Sequence, residues 1–159
     1  MDGRTQRIVW VALLTAGIFA TTPLWRLSWN QTPGQKLSGH VLLEDSASGN
    51  AWYVNPADAK RYAFQTPGQT FRLIQKLGLG VRHRDIERYR LTLPKKLLGQ
   101  IVIDTEDKGN AYYVTFDAAV KPLGNPDQAF EVLRSVGEVV SAVELEKIAV
   151  GSLELISNF

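Results

Sequence analysis

GNAWYV at residues 49–54 and GNAYYV at residues 109–114 are almost the same six residues, written sixty positions apart. The echo extends outward from both. KLSGHVLLEDSASGNAWYVNPADAKRYAF, residues 36–64, lies over KLLGQIVIDTEDKGNAYYVTFDAAVKPLG, residues 96–124, at that constant offset. Dropping one residue then brings Pro67, Phe71 and Gly78 onto Pro126, Phe130 and Gly137. Self-similarity over a whole unit marks a duplicated structural module.

Each unit can be read physically. GHVLLEDS alternates around branched side chains and predicts a strand. The Gly-containing turns SASGN and EDKGN suit a hairpin, because glycine accepts positive φ without a steric cost. AWYV and AYYV make the return strand. Pro56 within NPAD fixes a second turn, capped by Asn55 or Asp58, and KRYAF reads as a third short strand. After Pro67, Phe71, Leu73, Ile74 and Leu77 recur at helical spacing, and Gly78 and Gly80 end that helix. A second short helix follows, opened in the second unit by the capping box Ser141-Ala-Val-Glu144. The expected class is α+β: two tandem units, 36–92 and 96–150, each a three-stranded β-meander plus two short helices, followed by a tail, 151–159. A unit of roughly 55 residues is small for an independent core, so the two are expected to pack together.

The N-terminus has a different composition. Arg4 and Arg7 precede an uncharged run over 8–25, closed by Arg26. Eighteen helical residues span about 27 Å, close to a hydrocarbon core of about 30 Å. Trp10 and Trp25 sit near its ends, where indoles favour head groups. The reading is a transmembrane helix within an anchor segment, 1–26, with a polar linker at 27–35. A cleaved signal ending near Ala20 is the alternative. Either reading delivers the rest of the chain to the extracytoplasmic side of the membrane, anchored or secreted.

The segments GHVLLEDSASGNAWYVNPADAKRYAF and FRLIQKLGLG resemble a repeat of bacterial envelope-associated proteins, in which AWYVNP, KRYYL-like and LGLGIS-like segments follow in order. The resemblance covers residues 36–89 closely and 96–148 loosely. It implies an exported module beside cell-wall enzymes, with no catalytic residues to carry over. Arg82 stands where that family caps a helix with Ser, and the second unit lacks the NP and KRY segments.

No constellation for catalysis is visible. His40 and His83 are the two histidines, and neither has a spaced nucleophile or orienting acid. With no cysteine there is no thiolate, disulfide or cysteine–metal site. Asp104-Thr-Glu-Asp107-Lys-Gly109 has acidic groups before a glycine, as a calcium loop does. It carries Lys108 at a ligand position and has no bidentate Glu, so it reads as a hairpin turn. No catalytic residue, cofactor or metal is expected.

Charge is divided unevenly. Residues 36–96 hold eleven Lys and Arg against five Asp and Glu, a net +6, and residues 97–159 hold four against ten, a net −6. Such a basic region attracts anionic polymers or an acidic partner. The expected ligand face is Trp52, Asn55, Lys60, Arg61 and Tyr62. Trp52 would stack on a sugar, and Lys60 with Arg61 would meet an anionic cell-wall polymer. The expected function is thus a non-catalytic, membrane-anchored binding or scaffold module of the cell envelope, with nucleic acid excluded by its location. The alternative is an envelope assembly protein that associates with itself or with a partner protein through its basic and acidic units.

Overall fold

The computed structural model of the chain describes residues 31–46, 49–91 and 93–155. The first half runs α1 (Pro33–Lys36), β1 (Val41–Glu44), β2 (Ala51–Val54), β3 (Arg61–Ala63), α2 (Pro67–Leu77), β4 (Leu79–Val81) and α3 (His83–Leu91). A 3-10 turn at Lys95–Leu97 leads into the second half. There follow β5 (Ile101–Asp104), β6 (Ala111–Val114), β7 (Val120–Pro122), α4 (Pro126–Ser135), β8 (Glu138–Val140), α5 (Ala142–Glu146) and a 3-10 turn at Leu153–Leu155.

Hairpin pairing follows the echo. Val41 faces Tyr53 in the first half and Ile101 faces Tyr113 in the second. The third strand joins in the same way, Tyr53 opposite Tyr62 and Tyr113 opposite Lys121. The strand after each long helix then leaves its own half. β8 pairs in parallel with β1, Leu42 opposite Glu138, and β4 pairs in parallel with β5, Leu79 opposite Val102. The result is two four-stranded sheets, ordered β3-β2-β1-β8 and β4-β5-β6-β7, each completed by a strand from the other half.

This corrects the expected pair of self-contained three-stranded meanders. The physical reason is that three-residue strands carry no readable period. Their partners also lie across a parallel crossover, which no local pattern announces. A second correction concerns the membrane. The proposed transmembrane helix over 8–25 lies outside the described residues. Among the described residues no helix is long and apolar enough to cross a bilayer. Part of the expected linker is also ordered: Thr32 and Gln35 form a reciprocal capping box around α1.

Alternation along the strands sorts side chains into layers. Val41, Tyr53, Ile101 and Tyr113 enter one shared core with Phe64, Leu73 and Leu133, where α2 and α4 pack together. The opposite faces carry smaller clusters. Leu42 and Val54 meet Leu145 of α5 and Ile148 just beyond it, and Val102 and Val114 meet Leu97.

The halves touch at their matching glycines. Gly39 and Gly99 have φ of +84° and +75°, and a Cβ on Gly39 would lie 2.7 Å from the Gly99 Cα. Only glycine allows both the backbone conformation and this approach. The echo tyrosines lock the contact reciprocally: Tyr53 donates its hydroxyl to the Gly99 carbonyl at 2.8 Å, and Tyr113 donates to Gly39 at 2.9 Å.

Candidate functional site

The five residues expected to form a ligand face lie close together, but most of their polar groups are engaged within the protein. Asn55 is buried; its amide donates to Asp58 Oδ1 at 3.1 Å and its carbonyl oxygen accepts from the Ala57 N–H. Asp58 Oδ1 also accepts from the Lys60 N–H, and Asp58 Oδ2 accepts the Tyr62 hydroxyl at 2.6 Å. Tyr62 is 3% exposed, and burial together with that bond pushes its phenol well above the usual tyrosine range. Of this group, the Lys60 side chain is the one that stands exposed. NPADAKRY is therefore a turn organised by one carboxylate. The second half makes the matching turn with other atoms. The Thr115 hydroxyl bonds Asp117 and the Ala119 carbonyl, and the same oxygen accepts the Ala119 N–H.

Trp52 points to the outer cluster, away from Tyr53, and the Arg61 guanidinium sits 4.4 Å above its ring. One face of the indole is thus already covered by a cation. Burial draws Arg61 below the usual guanidinium range, against the attraction of Glu44 and Glu146.

A better-formed concavity lies beside this group. A cleft of about 430 Å³ is lined by Tyr62, Gln69, Arg72, Gln75, Lys76 and residues 151–154. Thr66 caps α2 through the Gln69 N–H, which fixes the helix start and turns Gln69, Arg72 and Lys76 to one side at helical spacing. The other side of α2 holds Leu73 and Ile74 in the core. The opposite wall is formed by Ser152, Leu153 and Glu154. Of the predicted residues, Tyr62 alone lines this cleft. Arg72 and Gln75 could have been found as the polar face opposite Leu73 and Ile74. The tail that forms the far wall carries no such signal.

A second polar cluster joins the halves. His83 Nδ1 lies 2.6 Å from Asp104 Oδ2, and the His83 N–H donates to Glu106 Oε2. Asp104 is wholly buried at the end of β5, and its Oδ1 accepts the N–H groups of Glu106 and Asp107. Burial alone would raise the Asp104 pKa, but the bonds from His83 and those two amides together hold it below the usual carboxylate range. The bond to Asp104 raises the pKa of His83. Ligand atoms of His83, Asp104 and Asp107 lie within 4.8 Å of one another, close enough for a cation. Both Asp104 oxygens already accept hydrogen bonds, however, and Asp107 Oδ2 takes the Asn110 amide. The cluster closes the EDKG turn and supplies α3, whose flanking residue is Arg82, with an acceptor from the other half.

No protein-family model, no curated protein and no solved structure matches the chain.

Proposed function

We propose that the chain is a non-catalytic, extracytoplasmic binding module of a cell envelope, and that it holds a segment of anionic wall polymer in the cleft beside α2. The observation that supports this reading is the composition of that cleft. Arg72 supplies a planar fork for a carboxylate or phosphate, Gln75 supplies an amide suited to sugar hydroxyls, Gln69 keeps its NH2 while its oxygen accepts the Gln65 N–H, and Leu153 supplies apolar wall. The placement outside the cytoplasm comes from the N-terminal sequence, with its basic start and apolar run. The ligand face moves from Trp52, Asn55, Lys60 and Arg61 to Arg72 and Gln75, with Tyr62 as floor, because Asn55 is committed to a turn and Trp52 with Arg61 to a stacked pair, which leaves the Lys60 side chain alone.

The test is retention of the protein on purified cell wall at low salt. The double variant Arg72→Ala/Gln75→Ala should lose most of the binding, whereas Lys60→Ala should keep it. Equal retention of all three proteins, or no retention of the parent, rejects the reading. The alternative role in assembly draws support from a different feature, the free edge of the second sheet.

A further inference from the structure

The two halves end their sheets differently. In the first, the chain beyond α5 returns along the outer edge of β3. The Arg61 N–H donates to the Ala149 carbonyl at 2.9 Å, the Arg61 carbonyl accepts the Gly151 N–H at 2.8 Å, and Val150 bridges Arg61 in parallel. Gly151 rests against the Tyr62 ring; a Cβ there would lie 2.2 Å from the ring. A short extended segment thus fills the slot beside β3.

The matching edge in the second half belongs to β7. Tyr62 and Lys121 hold equivalent places in the two ladders, so Val120 is the counterpart of Arg61. Ladder alternation turns the backbone of Val120 outward: Ala119 and Leu123, at the two ends of β7, bond inward to Thr115 and Ala111, and Val114, opposite Val120, bonds to Gly99 and Gln100 just before β5. Among the described residues β7 is the last strand of its sheet. The counterparts of Ala149 and Val150 are residues 90 and 91, which still belong to α3: that helix has nine residues, against five in α5. Where the first half has a filled slot, the second has an open cleft of about 410 Å³, lined by Tyr89, Tyr112, Ala118, Val120 and Pro122.

We infer that this cleft is a docking site for an extended peptide of a partner protein, added to the edge of β7 through the Val120 backbone as Ala149–Gly151 is added to β3. The filled slot shows what such a site takes: one bridging aliphatic residue flanked by small ones. The tyrosine walls supply apolar sides and hydroxyl groups. Pro122 has no N–H, so pairing is confined to the single Val120 bridge, and the edge is closed to longer, indiscriminate strand addition.

The probe is a synthetic peptide of the chain's own filling segment, IAVGSL (residues 148–153), added to the whole protein and followed by amide chemical shifts. Saturable shifts are expected at Ala118, Val120 and Tyr112, with none at Arg61. Methylating the peptide nitrogen that corresponds to Gly151 should weaken binding about tenfold, the loss of one backbone bond in a partly dry site. Val120→Pro, which removes the outward donor, should do the same while leaving the β6 ladder bonds in place. The methylated peptide makes the test independent of whether that variant folds. Shifts centred on Arg61 would mean only exchange with the resident tail and overturn the proposal, as would binding indifferent to methylation. A soluble wall oligosaccharide that shifts the same residues, while the peptide does not, overturns it in favour of a sugar site.

Discussion

The two halves share a backbone plan and differ in what their side chains do with it. Equivalent positions hold Tyr53 and Tyr113, Gly39 and Gly99, and Phe64 and Leu123, all in the shared interior or at the central contact. On the surface the copies diverge. α3 carries Arg82, Arg84 and Arg88 around its start and exposed side, where α5 carries Glu144 and Glu146. Two histidine–carboxylate contacts cross between halves, His40 to Glu138 at 3.0 Å and His83 to Asp104, each from the basic half to the acidic one. Their counterparts in the alignment, Gln100 for His40 and Ala142 for His83, lack an imidazole. Two basic halves paired together would set His40 against Leu79 in place of Glu138 and repel, and two acidic ones would leave the buried Asp104 facing an alanine. The shared plan supplies the fold, and the contacts that are not shared favour the pairing of unlike halves.

The comparison can be broken most severely at its centre. Gly39→Val should cost more than about 3 kcal/mol, because the side chain demands both a strained φ and space held by Gly99. Urea unfolding measures it, and a loss under 1 kcal/mol on the same scale would mean that the halves can separate there without consequence. Next come Tyr53→Phe and Tyr113→Phe, each expected to cost about 1–3 kcal/mol by stripping a buried glycine carbonyl of its donor. Similar losses support reciprocity, and one silent variant would break it. Burial and the nearby Glu138 carboxylate push the Tyr113 phenol up to about 12.

Smaller effects separate the halves. Ser141→Ala removes the side-chain cap of α5 and should cost about 1 kcal/mol. Arg82→Ala at the start of α3 should cost less, since the His83 N–H takes its acceptor from Glu106; thermal melts of the pair rank the two caps. The smallest effect is a pH dependence. The His83 pKa is raised in the folded state, so its contact with Asp104 stabilises fully below the ordinary histidine range and is lost as pH rises through the folded value. The melting temperature of the parent should therefore fall more than that of His83→Gln between pH 6 and about pH 9. Parallel curves would show that the contact carries no net stability. At the acid end the lowered Asp104 pKa works oppositely, its contribution being lost as pH falls through the folded carboxylate value.

What was legible in the sequence was local. The hairpins, the helix after Pro67 and the Ser141 cap each depend on neighbours within a few positions, so period, glycine and capping chemistry announce them. Trp52 and Tyr53 also had to face opposite ways, because a strand alternates. The cleft beside α2 was legible only in part. Asn55 and Tyr62 are residue types that bind ligands, but both bond Asp58, three and four positions away, in the turn that NPAD announces. Arg72 and Gln75 are ordinary polar positions of a helix until the returning tail supplies the opposite wall.

By itself, then, the sequence determined a duplicated α+β unit, an uneven charge and the glycines and tyrosines that recur in both copies. The tertiary structure alone decided that the halves trade their fourth strands, and that the matching edges end as one filled slot and one open cleft. The reason is separation along the chain. Leu42 and Glu138 pair across nearly the whole folded length through strands too short to carry a pattern. Which edge is covered depends on where a helix stops, nine residues in one copy and five in the other.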